Sequence, residues 1–224
     1  MSKQVRNQGE LSFPPRPGGK RKGAGRKPRG EKAGVSHSTR LVVKPHTPVF
    51  VTTKVMAGLP SLRSEETRGV IQGVVREVSQ EKRFRIVHFT IQEDHLHLVV
   101  ETFTAETLRY GMSRFVIRVA KRVNKVWGRR GTFWKERYHA RPFQSRREAW
   151  NVLRYCLNNG RKHGVWKSRS QPDPYSSGRW FDGWSDGRCE PRTESCPVAA
   201  PSTWLLRIGW RKYGLLALTS APAA

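Results

Sequence analysis

Phe84 to Glu101 carry two apolar, β-branched runs, FRIVHFTIQ and HLHLVVE, parted only by the polar pair Glu93 and Asp94. Each run has the length of a strand, and so short a break leaves room only for a tight turn, so the segment is a β-hairpin. The rest of the chain must be laid out around it. Upstream, Pro48 to Val55 alternates with period two and predicts a first strand. Between that strand and the hairpin, Ser64 begins a helix: it can cap the first turn, Glu65 and Glu66 favour it, and Val70, Ile71, Val74, Val75 and Val78 form one apolar face.

Downstream of the hairpin the period changes. Leu108, Met112, Phe115, Val116, Val119, Val123 and Trp127 recur at three- and four-residue steps and predict a long helix from Glu106 to Trp127. Its opposite face carries Arg109, Arg114, Arg118, Lys121, Arg122 and Lys125. GRRGTFWKERYHARPF then supplies a turn, with Arg129 and Arg130, and a last strand, before a third helix from Arg146 to Asn159. The order strand, helix, strand, strand, helix, strand, helix predicts an α+β fold, a ferredoxin-like antiparallel sheet with helices on one face.

The flanks read differently. Residues 1–46 are rich in Gly, Pro, Lys and Arg with almost no large apolar side chain, so burial cannot offset their ordering entropy, and a disordered basic arm is expected. The domain proper is expected over 47–166. Residues 167–224 read as a loop-rich extension with one short amphipathic piece, TWLLRIGWRKYGLLAL.

The net charge of +26 in 224 residues points to a polyanionic partner. The stretch Phe103 to Arg169 holds 18 Lys and Arg against 3 Asp and Glu, and Trp127, Phe133, Trp134, Tyr138 and Phe143 interleave with those charges. Nucleic acid fits that mixture better than a membrane, because no apolar run approaches the length of a spanning helix. Three cysteines without a CxxC pair suggest neither a disulfide framework nor a zinc ribbon, and no signal-peptide apolar region precedes the arm, so a reducing cytoplasm is expected.

Two histidines sit inside the hairpin. On a strand, residues i and i+2 project from one face about 7 Å apart, so His95 and His97 point together while Leu96 and Leu98 face the other way. Paired imidazoles on a rigid face make half a metal site with positions open for substrate oxygen. The third helix offers a partner: Tyr155 and Asn159, four apart, share a face with Asn151, among Arg154, Arg161, Lys162 and His163. Such cations attract phosphate.

His-Leu-His on a central strand, followed by a helix reading RYCLNNGRKHG, resembles the HUH single-tyrosine transposases, in particular the REP-associated tyrosine transposases of bacteria. The likeness runs from about Val49 to Gly164, and the two motifs together are far more specific than either alone. It implies a metal-dependent endonuclease that nicks and rejoins single-stranded, hairpin-associated DNA through a 5′-phosphotyrosine. In that picture Tyr155 is the nucleophile, and His95, His97 and Asn159 hold Mg²⁺ or Mn²⁺. The basic side chains Arg109, Arg114, Arg118, Lys121, Arg122, Lys125, Arg129, Arg130, Arg154, Arg161 and Lys162 are expected to hold the strand. The chain departs from many relatives in carrying Gly160 where they have proline, a change expected not to touch the chemistry. The protein is expected to act as a monomer or homodimer.

Within that chemistry, Glu93 and Asp94 can either orient an imidazole or serve the hairpin turn. A catalytically silent hairpin-binding protein is the alternative, against which stands the joint presence of His95, His97, Tyr155 and Asn159. An RNA-binding sheet would need aromatic rings across its face, where the predicted strands carry Val, Thr, His and Ile.

Overall fold

Four strands pair antiparallel in the order β2-β3-β1-β4, with β1 at Pro48–Lys54, β2 at Phe84–Ile91, β3 at His95–Thr102 and β4 at His139–Pro142. The computed structural model describes residues 43–79, 81, 83–193 and 195–220. The basic arm expected over 1–46 lies outside the described residues as far as 42. Helices α1 (Glu65–Ser79), α2 (Ala105–Val126) and α3 (Arg146–Leu157) alternate with the strands in the predicted order, and a separate turn α4 (Asn159–Lys162) follows.

Each long helix starts where its sequence supplies a cap. Ser64 Oγ accepts the Thr67 N–H at 3.2 Å, and Thr104 with Thr107 forms a reciprocal capping box on α2. On α3, Ser145 and Glu148 do the same. The N–H groups of Ser145 and Gln144 hold the Glu148 carboxyl below its usual range. Such caps each stabilise by about 1 kcal/mol.

The alternation of β3 divides the molecule. Leu96, Leu98 and Val100 face one side, where they meet Val49, Val51, Ile86 and Phe89 beneath Ile71, Val74, Val75 and Val78 of α1 and Met112, Phe115, Val119 and Val123 of α2. Gly111 lets α2 come close, since a Cβ there would overlap the Phe84 ring. The expected layout, with helices on one face, holds for α1 and α2; α3 differs and covers the opposite face. The reason is a second apolar patch: Val99, Phe50 and Val87 also need cover, and Ala149, Val152, Leu153 and Cys156 of α3 provide it. A bulge between Ile86 and His88 turns Val87 toward that patch.

Beyond residue 166 regular structure is sparse: a 3-10 turn at Ser177–Trp180, helix α5 at Trp204–Arg207 and a second 3-10 turn at Gly209–Tyr213. The segment nevertheless completes the second core with Phe181, Trp184, Leu206, Trp210, Leu216 and Leu218. Polar anchors fix it. The buried Glu101 carboxylate on β3 accepts N–H and O–H bonds from both Ser202 and Thr203, at 2.6–3.0 Å. Arg63 clamps Asp173 with bonds of 2.9 and 3.0 Å, and both side chains are almost wholly buried. Among the described residues no helix is long and apolar enough to cross a membrane.

Candidate active site

The second face of the sheet carries the histidines. Strand register sets His97 opposite Thr52 on one side and Thr90 on the other. Its ring Nδ1 lies 2.9 Å from Thr52 Oγ1, while its Nε2 is buried and has no hydrogen-bond partner among the described residues. Burial, with the nearby charges of His95, His163 and Lys162, pushes the His97 pKa down to about 3, so the ring is neutral at physiological pH. His95, one step along the same face, is held by the same nitrogen: Nδ1 stands 2.6 Å from Asp94 Oδ1. Burial opposes charge on Asp94, but the hydrogen bonds from His95 and Lys54 outweigh it and hold that carboxyl below its usual range. Of the two acids in the turn, Asp94 is therefore the one that orients an imidazole. Both rings turn Nε2 away from these partners, the arrangement by which an outer contact fixes a ligand imidazole.

Helix α3 brings Tyr155 to them. Its ring centroid lies 5.2 Å from that of His97, and Phe50, stacked on His97 at 5.2 Å, meets Tyr155 edge-on at 5.8 Å. Lys162 Nζ stands 5.1 Å from the Tyr155 ring centre. The His163 ring, on the turn after α4, lies 5.4 Å from His95. Burial and the charges of His95 and Lys162 lower its pKa.

Asn159 departs from expectation. The helix predicted to run through it ends at Leu157, and Asn159 opens α4 instead of sharing a continuous helical face with Tyr155. The break is fixed from a distance, because the Asn158 amide donates to the carbonyls of Ala217 and Ser220. Asn159 is fully buried, and neither its amide oxygen nor its nitrogen has a partner among the described residues. No three His, Cys, Asp or Glu side chains group to hold a metal ion among the described residues. The residues that could hold one are mixed: the His95 and His97 imidazoles and the unsatisfied buried amide of Asn159, donor types that a divalent ion with open positions accepts. Gly160 has a structural reason, since a Cβ there would overlap the Asp173 carboxylate.

The family model described as transposase, IS200 like, matches residues 60–159. Over those 100 of its 224 residues the chain is similar to IS200-like transposases. Among solved structures, one of a REP-associated tyrosine transposase bound to a REP hairpin is similar over 63% of this chain and 82% of that one, with 16% sequence identity and a TM-score of 0.48. No curated protein matches the chain.

The matched segment contains His95, His97, Tyr155 and Asn159, but Thr52, which orients His97, precedes it. Its basic residues divide into groups. The α2 row lies on the face of the sheet away from the histidines, because α2 packs with Leu96 and Leu98. There Arg114 pairs with Glu81, while Arg118 and Arg122 pair with Glu77. Lys121, Lys125, Arg129 and Arg130 meet around a cavity of about 440 Å³ at the end of α2. Within that group, Arg129 is spent on Asn124 Oδ1 and the Thr132 carbonyl, and Arg109 is exposed on α2. On the histidine side, Arg161 binds the carbonyls of Ser168 and Gln171 and so shapes a loop, and Lys162 stands over the Tyr155 ring. Sequence reasoning did not find Thr52; the cross-strand pairing of the first strand with HLHLVVE is the signal that reveals it.

Proposed function

We propose that this protein is a metal-dependent endonuclease and strand transferase that nicks and rejoins single-stranded, hairpin-associated DNA through a 5′-phosphotyrosine. The observation that carries the reading is the 5.2 Å approach of the Tyr155 ring to His97, two side chains from different elements converging on one sheet face.

The residue roles follow from the chemistry. Tyr155 Oη attacks the backbone phosphorus; the new O–P bond forms as the bond to the 3′ oxygen breaks. The phenol loses its proton and the departing 3′ oxygen gains one, so the products are a 5′-phosphotyrosine and a 3′ hydroxyl. The energy of the phosphodiester is retained, and reversal with a different 3′ end rejoins strands without ATP. Mg²⁺ or Mn²⁺ would be held by Nε2 of His95, Nε2 of His97 and the Asn159 amide oxygen, and when bound it supplies positive charge to a non-bridging phosphate oxygen. Thr52 and Asp94 fix which nitrogen each imidazole presents. Burial keeps His97 neutral, the only form with a lone pair to offer. Lys162, beside the phenol, attracts the anionic backbone.

The test uses a labelled single strand carrying a hairpin, with and without Mn²⁺, and looks for an adduct that survives boiling. Tyr155→Phe removes the adduct while leaving hairpin affinity within about twofold, and His97→Ala removes both the adduct and its response to Mn²⁺. An adduct formed by the Phe variant assigns the nucleophile elsewhere. Tight, salt-sensitive binding with no adduct at any Mn²⁺ concentration means that the protein binds hairpins without cutting them.

A further inference from the structure

Helix α3 continues away from Tyr155 along a surface that the proposed chemistry leaves unused. A cavity of about 470 Å³ there is lined by Arg147, Trp150, Asn151, Arg154 and Tyr213. Asn151 lies one turn before Tyr155 and Arg147 one turn before that, so the cavity begins about 6 Å from the phenol's place on the helix and runs on along the same face. Its far wall comes from the C-terminal extension. Trp150 Nε1 donates to the Gly214 carbonyl at 3.0 Å, which seats the turn ending in Tyr213 against α3.

The lining has a particular chemistry. It offers two guanidinium groups, one amide, two aromatic rings and no carboxylate. Arg154 lies over the Trp150 ring at 4.9 Å, which covers that ring, yet its buried Nε has no hydrogen-bond partner among the described residues. Tyr213 is 47% exposed and is the ring left open to a visitor. Cations that hold a phosphate backbone, beside an exposed ring on which a base can stack, are the features that bind unpaired strands. Inside a duplex the bases are stacked on one another and offer no face to such a ring, and an acidic peptide has no use for it. Arg147 and Arg154 are two helical turns apart, about 10 Å, enough to span more than one nucleotide of a strand.

We propose that this groove binds the single-stranded nucleotides flanking the hairpin, with Tyr213 stacking on one base and Arg147 and Arg154 holding the backbone on its way to Tyr155. The inference rests on the reading of the protein as a hairpin-processing enzyme and adds the path of the unpaired strand. Tyr213 belongs to the extension beyond the matched segment, so this part of DNA recognition would be supplied from outside the matched family region.

The experiment measures binding without chemistry, in the full chain carrying Tyr155→Phe. Fluorescence anisotropy compares a bare hairpin with hairpins bearing six unpaired nucleotides on the 5′ or the 3′ side. Adding Tyr213→Ala is expected to weaken binding of a flanked hairpin about tenfold, the worth of one stacked base. The bare hairpin keeps its affinity, and Tyr213→Phe restores the flanked one. Equal losses on bare and flanked hairpins, or no loss on any, overturn the groove. Because no cleavage is read, failure of the adduct test leaves this result standing, and the converse also holds.

Discussion

The two faces of the sheet are packed by different means. Under α1 and α2 the core is apolar and comes from side chains at regular steps on strands and helices. Under α3 it is half loop: Phe181, Trp184, Leu216 and Leu218 arrive from segments with little regular structure. That side also buries Glu101, His88, Ser177, His97 and Asn159, polar groups whose partners must be built one by one. Oriented polar groups in a dry site are what phosphoryl chemistry needs, and an all-apolar helix layer cannot supply them. The difference suggests a division of labour: one face stabilises the sheet, and the other trades regularity for a place where imidazoles, a phenol and an amide can be aimed.

The strongest way to break that comparison is to damage each core equally. Phe115→Ala on the first face and Trp210→Ala on the second each remove a fully buried ring and should each cost about 3–5 kcal/mol in urea denaturation. Their effects on chemistry should differ. The turn containing Trp210 is packed on α3, and its indole is tied to the Leu206 carbonyl, so its loss loosens the seat of Tyr155. Under conditions where both variants remain folded, adduct formation should fall about tenfold or more for Trp210→Ala and stay near wild type for Phe115→Ala. Equal adduct yields would mean that the two faces do not divide the work.

A smaller effect separates the faces by pH. His88 is buried beneath the C-terminal segment, its Nδ1 3.2 Å from Ser177 Oγ, and burial together with the charge of Arg192 lowers its pKa to about 3. The unfolded chain binds a proton at His88 below about pH 6.5, whereas the folded chain does so only near 3. The unfolded state therefore holds more protons across that window, and stability, complete above 6.5, is lost as pH falls toward 3. From pH 7 to pH 5 this one group accounts for a loss of about 2 kcal/mol. His88→Gln should remove that share of the acid sensitivity, read as a shallower decline of the denaturation midpoint; an unchanged decline would mean that the imidazole is not kept neutral by its burial.

The regular face was the legible one. Periods of two and near 3.6 marked strands and helices, with the cap at Ser64 marking one start, because those signals are local. His95 and His97 were legible for the same reason, since alternation alone puts them on one face. Their meeting with Tyr155 is a tertiary contact, reached in the sequence only through the family resemblance. What the sequence withheld depends on residues far apart. Thr52 reaches His97 through strand register, and α3 stops at Leu157 because Asn158 is bound by carbonyls some sixty positions later. The pairing of Arg114, Arg118 and Arg122 on α2 with Glu81 and Glu77 likewise joins residues far apart. The extension has little regular structure, and its tryptophans lack any period that would announce a core.

The weakest expected effect sharpens the contrast between the faces in their ion pairs. Arg122 grips Glu77 through two bonds of 2.5 and 2.9 Å, joining α2 to α1, and this hydrogen bonding is the main reason the Glu77 carboxyl lies below its usual range. Both side chains are 45% exposed, so solvent and salt screen the attraction, and holding two long side chains in one geometry costs entropy. Arg122→Ala should therefore destabilise by less than about 1 kcal/mol at low salt, and the difference should vanish near 1 M NaCl. Arg63 and Asp173, which tie the start of α1 to the C-terminal extension, have the same two-bond geometry but are removed from water. Removing one member there leaves the other charge without solvent or partner, which salt in the bulk cannot relieve. A cost for Arg122→Ala that persisted at high salt would mean that this exposed pair behaves as the buried one does, and that the regular face depends on charge as well as on apolar packing.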